Sequence, residues 1–350
     1  MVNKFQNLTH EKEKSPLISF VLVGRNDDYG GDFKQRLHNC ISTLYHQLVA
    51  HKTHAEIIFV NYNPLPQPAI LDFIEWPKST DLVSLKIITV SADLHLEFVK
   101  QNGIDEVPVL EYPAKNAGIF RAKGTYILAM NPDILIDELF FDSLTWLDKN
   151  HYYRTNRIDY HLPKGKKIDG SIISFAKKNC TKVWVKAISK SVKKGSISTL
   201  KFRQIVFQSK IEIFRYNFLK ALNFLWSEKL HAKAEYKYHC NVSGDFMLMH
   251  RQNWAILLGY NETAKIALHI DSLLVVQAAS FGLQEVIFPF PIYHQEHERR
   301  YDASFENQLF RAAYLNFQNE AQEMIAAKSP KIYNTINWGF SSADVDEILL

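Results

Sequence analysis

Cysteine is scarce in this 350-residue chain: Cys40, Cys180 and Cys240 stand far apart and are the only three. That spacing fits neither a disulfide framework nor a cysteine zinc site, so a reducing cytoplasm is the expected compartment. Long apolar runs are lacking as well. No stretch approaches the ~20 residues that a spanning helix needs. The first fifteen residues, MVNKFQNLTHEKEKS, are polar and charged, so neither a secretory leader nor a membrane anchor is expected. Asn-x-Ser/Thr triplets at Asn7, Asn179, Asn241 and Asn261 then read as chance matches. Two catalytic or cofactor signatures are missing. The segment VGRNDDYGG lacks the G-x-G-x-x-G spacing that brings a backbone up to a pyrophosphate, which argues against a dinucleotide enzyme. A metalloprotease His-Glu-x-x-His starting at His297 needs a second histidine at position 301, where Tyr301 stands.

What is present is a globular composition with an uneven charge. Hydrophobic residues make up 47% and charged residues 22%, enough for a large core in one big domain or two. Residues 164–237 hold eighteen Lys/Arg and four Asp/Glu, a balance of +14. Because the whole chain is +4, the remainder carries about −10. Aromatic residues are interleaved in the basic stretch, among them Phe175, Trp184, Phe202, Phe207, Phe214, Phe218, Phe224 and Trp226. From 197 to 231 it reads as a long helix or helix pair with a broad apolar face. A solvated helical face, docking on an anionic membrane and nucleic-acid binding all use these ingredients. Nucleic acid is the least expected, since no recognised module accompanies the charge.

Before that stretch, apolar β-rich runs alternate with helical patterns. Strands are expected at 17–23, 56–61, 85–91 and 125–130, with helices between them, and a terminal helix in SADVDEILL. Four buried strands with helical crossovers imply an α/β fold with a mainly parallel sheet covered on both faces. Ligands of such sheets bind beyond the carboxyl ends of the strands. Asn26, Asn61 and the turn Asn131-Pro132-Asp133 fall there. The turn is explained by its turn-forming residues alone, or by oxygen ligands for Mg2+ or Mn2+ beside a diphosphate. Arg154 and Arg157, in YRTNRID, are either phosphate-clamping guanidinium groups or solvated strand arginines. Lys115 and Arg121 invite the same two readings.

The run EYPAKNAGIFRAKGTYILAMNPDIL resembles the A-R/K-N-x-G-x-x-x-A-x-G-x-(Y/F)-(I/L)-L-x-x-N/D-x-D segment of family-2-like glycosyltransferases with the GT-A fold. FVLVGRNDDYGGDFKQRLHNCISTL is similar to the family's first strand and helix, and EIIFVNYNP to its second, nucleotide-contacting strand. SGDFMLMHRQNWAILLGYNE resembles the acceptor-side run, and HID at 269–271 stands where the family has Glu-Asp. The resemblance spans about 200 residues in order and leaves the basic segment outside it.

That resemblance implies a GT-A-like, Rossmann-like sheet with a basic helical insertion, divided as a nucleotide-sugar half at 1–163, the insertion at 164–237 and an acceptor side at 238–350. It implies transfer of a sugar, with inversion, from a nucleoside diphosphate sugar to an acceptor hydroxyl. The acceptor is a glycan, a lipid-linked molecule or a protein. Asn131, Asp133 and His297 would hold Mg2+ or Mn2+. Gly24, Arg25, Asn26, Asn61, Lys115, Asn116 and Arg121 would line the donor, together with Arg154 and Arg157. Asp271 would act as the base, with Asp245 as its alternative. The departures, Asn at 131 and His-x-Asp at 269–271, leave open a weakened protein that only binds a sugar nucleotide or partner.

Overall fold

A computed structural model of the chain describes residues 15–104, 107–166, 171–192, 195–224, 234–265, 267–298 and 307–350. Strand β1 (Ile18–Gly24), helix α1 (Phe33–Ala50), β2 (Ala55–Tyr62), the short α2 (Ile70–Phe73), β3 (Val83–Val90), α3 (Ala92–Asn102), α4 (Glu111–Arg121) and β4 (Tyr126–Met130) form the first half. The four strands pair in parallel in the order β3-β2-β1-β4. Their side chains alternate between two cores, as a strand's period of two requires. Phe20, Leu22, Ile57 and Phe59 meet Phe33 and Leu37 of α1 on one face. On the other face Val21, Val23, Ile58 and Val60 meet Ala114 and Ala117 of α4. Helix α4 lies close to the sheet because of Gly118, where an added Cβ would stand 2.5 Å from Val21 Cγ1.

The second half extends the same sheet. It runs β5 (Ile134–Ile136), α5 (Leu139–Ser143), β6 (His151–Tyr160), α6 (Ile172–Lys178), β7 (Cys180–Val185), β8 (Ile188–Ser191), α7 (Thr199–Phe224), α8 (Ala234–Lys237), β9 (Phe246–His250), α9 (Arg251–Leu257), α10 (Ile270–Ser280), β10 (Gln284–Gln295), α11 (Gln308–Ala327) and β11 (Asp346–Leu349). The strand order is β11-β3-β2-β1-β4-β9-β6-β10-β5, with the β7–β8 hairpin hung on β6. Strand β9 is antiparallel to both β4 and β6, and β6 is parallel to β10. So β1–β4, β6 and β10 all point the same way: a mixed sheet, mostly parallel, flanked by helices. The consequence for chemistry is direct. The carboxyl ends of β1, β4, β6 and β10 and the amino end of β9 share one edge.

Two elements differ from the sequence expectation. The tail is not a helix; Asp346–Leu349 adds an antiparallel strand to the open edge of β3. Unpaired backbone groups at a sheet edge favour an added strand over local helix propensity. The basic segment carries a hairpin in addition to helices: β7 pairs with residues 157–160 of β6, and a third core of Tyr160, Val183 and Phe202 fills the space beneath α7. The part of the expected long helix beyond Phe224, residues 225–231, lies outside the described residues. No helix among the described residues is long and apolar enough to cross a membrane.

Candidate functional site

Asp133 begins the site. It follows Pro132 at the exit of β4 and precedes β5, whose antiparallel register sets Ile134 opposite His294 of β10. That pairing brings His294 alongside the Asp133 carboxylate. His297 arrives from the next loop, which is tied down by the Glu298 N–H donating to the Gly30 carbonyl. Gly30 is required there: its φ is +67°, and a Cβ would stand 2.5 Å from His297 Nδ1.

The donor set fits a cation. One ligand atom each from Asp133, His294 and His297 lies within 4.8 Å of the others. Asp133 Oδ2 is 3.1 Å from His297 Nε2 and 3.8 Å from His294 Nε2. His297 Nδ1 faces the Glu298 carbonyl at 2.9 Å, and His294 Nδ1 faces Asp159 Oδ1 at 3.2 Å. Both oxygens are acceptors, so each Nδ1 donates there and each Nε2 is left turned toward Asp133. Asp133 Oδ1 is buried and has no hydrogen-bond partner. Burial would raise the Asp133 carboxyl, but His294, the hydrogen bond and charge of His297, and Arg36 hold it well below the usual carboxylate range. Arg36 Nη1 donates to Asp133 Oδ2 at 3.0 Å, and its other nitrogens reach the Tyr29 and Gly31 carbonyls.

From His294 a chain of buried polar contacts crosses the edge to α4. Asp159 Oδ1 lies 2.8 Å from Arg157 Nε, and Asp159 Oδ2 accepts from Trp184 Nε1 at 2.7 Å. Burial opposes ionisation of Asp159, yet His294, Arg157 and Trp184 bring it down to about 2. Arg157 Nη1 reaches Asp245 Oδ2 at 2.5 Å, and Asp245 Oδ1 accepts from Asn131 Nδ2 at 2.9 Å. Asn131 Oδ1 in turn accepts from Lys115 Nζ at 2.7 Å. The same ammonium donates at 2.7 Å to Glu111 Oε1 and to the Gly244 carbonyl, so its three N–H directions are all used. Asp271 stands one turn away, in the first turn of α10. Its Oδ2 accepts from Ser243 Oγ and from the Gly244 N–H, both at 2.7 Å.

The residues expected from sequence therefore separate into groups. Asp133 and His297 meet, joined by His294. Asn131, Lys115, Arg157 and Asp245 form the adjoining chain, with the Asn131 amide engaged by Lys115 and Asp245. Arg25, Asn26 and Asn61 sit at the ends of β1 and β2. Arg25 Nε donates to the Asn63 carbonyl, and Asn26 pins the loop after β2 through Leu65 and Pro68. The Asn61 amide oxygen is buried without a partner. Gly24 makes room for the Phe33 and Phe59 rings. Three residues brace the scaffold instead. Asn116 bonds the backbone of Tyr260 and the Glu262 carboxylate, Arg121 bonds the Gly339 and Phe340 carbonyls, and Arg154 bonds those of His239 and Asn241.

Sequence reasoning passed over Arg36, Asp159 and His294 as site residues. Arg36 carried a signal, because it interrupts the apolar face Phe33, Leu37, Cys40, Ile41 and Leu44 of α1. Arg157 and Asp159 are two apart on a buried strand, hence on the same face.

No family model and no curated protein matches the sequence. Among solved structures the chain is similar to GalNAc-T7 with UDP, GalNAc and Mn2+, at 12% identity and a TM-score of 0.47, over 90% of this chain. It spans only half of that GalNAc-T7 chain, 50%. It is also similar to the mannosyltransferase PcManGT from Pyrobaculum calidifontis in complex with GDP-Man and Mn2+, at 14% identity and a TM-score of 0.44, over 90% of this chain and 74% of that one. A third similarity is to S. aureus TarS 1–349 in complex with UDP-GlcNAc, at 12% identity and a TM-score of 0.39, over 89% and 71%.

Proposed function

We propose that this chain is a GT-A-type glycosyltransferase that moves a sugar from a nucleoside diphosphate sugar to an acceptor hydroxyl, with inversion. One observation carries the reading: a carboxylate and two imidazoles, their Nε2 atoms turned inward, meet at the carboxyl edge of a mostly parallel sheet. The motif resemblance of residues 111–135 leads to the same place. Asp133, His294 and His297 would hold a divalent cation, which supplies charge neutralisation for the leaving diphosphate. Two imidazoles beside one carboxylate suit Mn2+ better than Mg2+, which prefers an all-oxygen set.

The remaining roles belong to the chain's own groups. Asp271 takes the acceptor proton as the acceptor oxygen bonds to the anomeric carbon and the bond from that carbon to the diphosphate oxygen breaks. Its Oδ2 is held by Ser243 and Gly244, while Oδ1 takes one long bond, 3.5 Å from Ser272 Oγ, and keeps a lone pair for the acceptor hydroxyl. Asp245 is already committed to Arg157 and Asn131, so it positions the edge rather than moving a proton. Lys115, with every N–H engaged, fixes Asn131 and the Gly244 turn.

A second reading rests on Arg36. Its guanidinium already neutralises Asp133, as a metal-independent donor site would arrange it. One experiment separates the two: incubate the protein with a panel of nucleotide sugars, with Mn2+ or with a chelator, and follow donor turnover and thermal shift. Turnover that needs Mn2+ and disappears in Asp133→Ala supports the metal-dependent transferase. Turnover unaffected by the chelator supports the Arg36 version. Binding of no donor at all overturns the proposal.

A further inference from the structure

Helix α7 is apolar on two opposite sides. At 100° per residue, Phe202, Ser209 and Ile213 share the buried side, and Phe202 anchors it in the third core. Leu200, Phe207, Ile211, Phe214 and Phe218 form the opposite stripe, each with 44–78% of its surface exposed. The Phe214 and Phe218 rings stack there, with their centroids 6.3 Å apart. A contiguous exposed stripe of this kind marks an interaction surface. Charge identifies its occupant. Arg203 and Lys210 flank one side of the stripe, and Lys201 and Arg215 the other, all four exposed. The only acid in α7, Glu212, is paired with Lys190 of β8 at 2.5 Å.

From this stripe we infer that α7 docks the protein on an anionic lipid bilayer, with the phenylalanines entering the acyl boundary and the four basic side chains at the headgroups. A second copy is the poorer occupant. Two such stripes facing each other would set Arg203 and Lys210 against like charges. The buried side of α7 packs on β7, whose Trp184 bonds Asp159, so the docked surface is one strand removed from the site. The inference does not depend on the sugar-nucleotide reading.

The test is sedimentation of the full chain with vesicles of phosphatidylcholine alone or mixed with phosphatidylglycerol. The protein should pellet with the mixed vesicles and not with the neutral ones, less so as salt is raised. Phe207→Ser/Phe214→Ser and Lys210→Glu/Arg215→Glu should each cut partitioning by about tenfold or more while leaving Tm unchanged, because all four side chains are exposed. Four results would overturn the inference: no pelleting with either vesicle, equal pelleting with both, pelleting indifferent to both double variants, or a dimer in solution that Phe207→Ser/Phe214→Ser dissociates. An oligonucleotide shift without vesicle binding would assign the surface to nucleic acid instead.

Discussion

Asp133 and Glu262 are both buried carboxylates, and their surroundings drive them in opposite directions. Asp133 lies among Arg36, His294 and His297 and is held well below the ordinary range. Glu262 lies behind α4, where Asn116 Nδ2 and the Gly339 N–H donate to it but no cationic side chain among the described residues pairs with it, and burial pushes it up to about 7. Burial opposes both charges; the difference is whether a cation offsets that desolvation. The edge that carries the site is a region of compensated charge. The knot behind α4 is held by hydrogen bonds from neutral donors, which offset only part of what burial costs an ionised Glu262.

The comparison breaks most sharply if the compensation is removed. Arg157→Ala leaves Asp159 and Asp245 buried without their shared cation, so unfolding free energy should fall by about 3–5 kcal/mol. Denaturant titration measures it, and adding Asp245→Asn should recover part of the loss. A fall under ~1 kcal/mol would show that the edge is wetter than its burial indicates. Next in size, Asp133→Asn should abolish the Mn2+-induced thermal shift and lower donor turnover by roughly 10^2–10^3-fold, about 3–4 kcal/mol of barrier. An intact Mn2+ shift in that variant would remove Asp133 from the cation site.

Glu262 supplies the converse test. Its folded value lies above its unfolded one, so the stability it contributes is fully present below about pH 4.5 and is lost as pH rises through about 7. The loss is on the order of 3 kcal/mol at most. Glu262→Gln keeps an acceptor for Asn116 and Gly339 without the charge. The variant should therefore be the more stable protein at pH 8, with the gap closing near pH 4.5, as thermal melts across that window will read. The smallest effect is at Trp184. Replacing it by Phe removes one hydrogen bond to Asp159 and should cost about 1–2 kcal/mol, since the acceptor is ionised. A cycle with Asp159→Asn isolates that contact.

Much of the frame was readable from the chain. Strands β1 to β4 are continuous apolar runs with polar stops, and each appears within about two residues of its expected bounds. The Asn131-Pro132-Asp133 turn at the end of β4 was legible for the same reason. The β11 tail was not, because its four residues take their conformation from the edge of β3 rather than from their own propensity. The charge chain was half legible. Arg157, Asp245, Lys115 and Asn131 each drew attention separately, but their union depends on contacts between residues up to 129 positions apart, as in Lys115 to Gly244.

Composition and periodicity by themselves determined the class of this protein: a buried, mostly parallel sheet with polar residues at its strand ends and a basic, aromatic-rich segment. Those features are local, set by side-chain period and by which residues stop a strand. Only the tertiary structure decided that His294 joins Asp133, that Arg36 faces it, and that Asn131 turns to Lys115 and Asp245. The register of β5 on β10 and the antiparallel entry of β9 bring those groups together, and such registers arise from pairings between distant strands that no local pattern encodes.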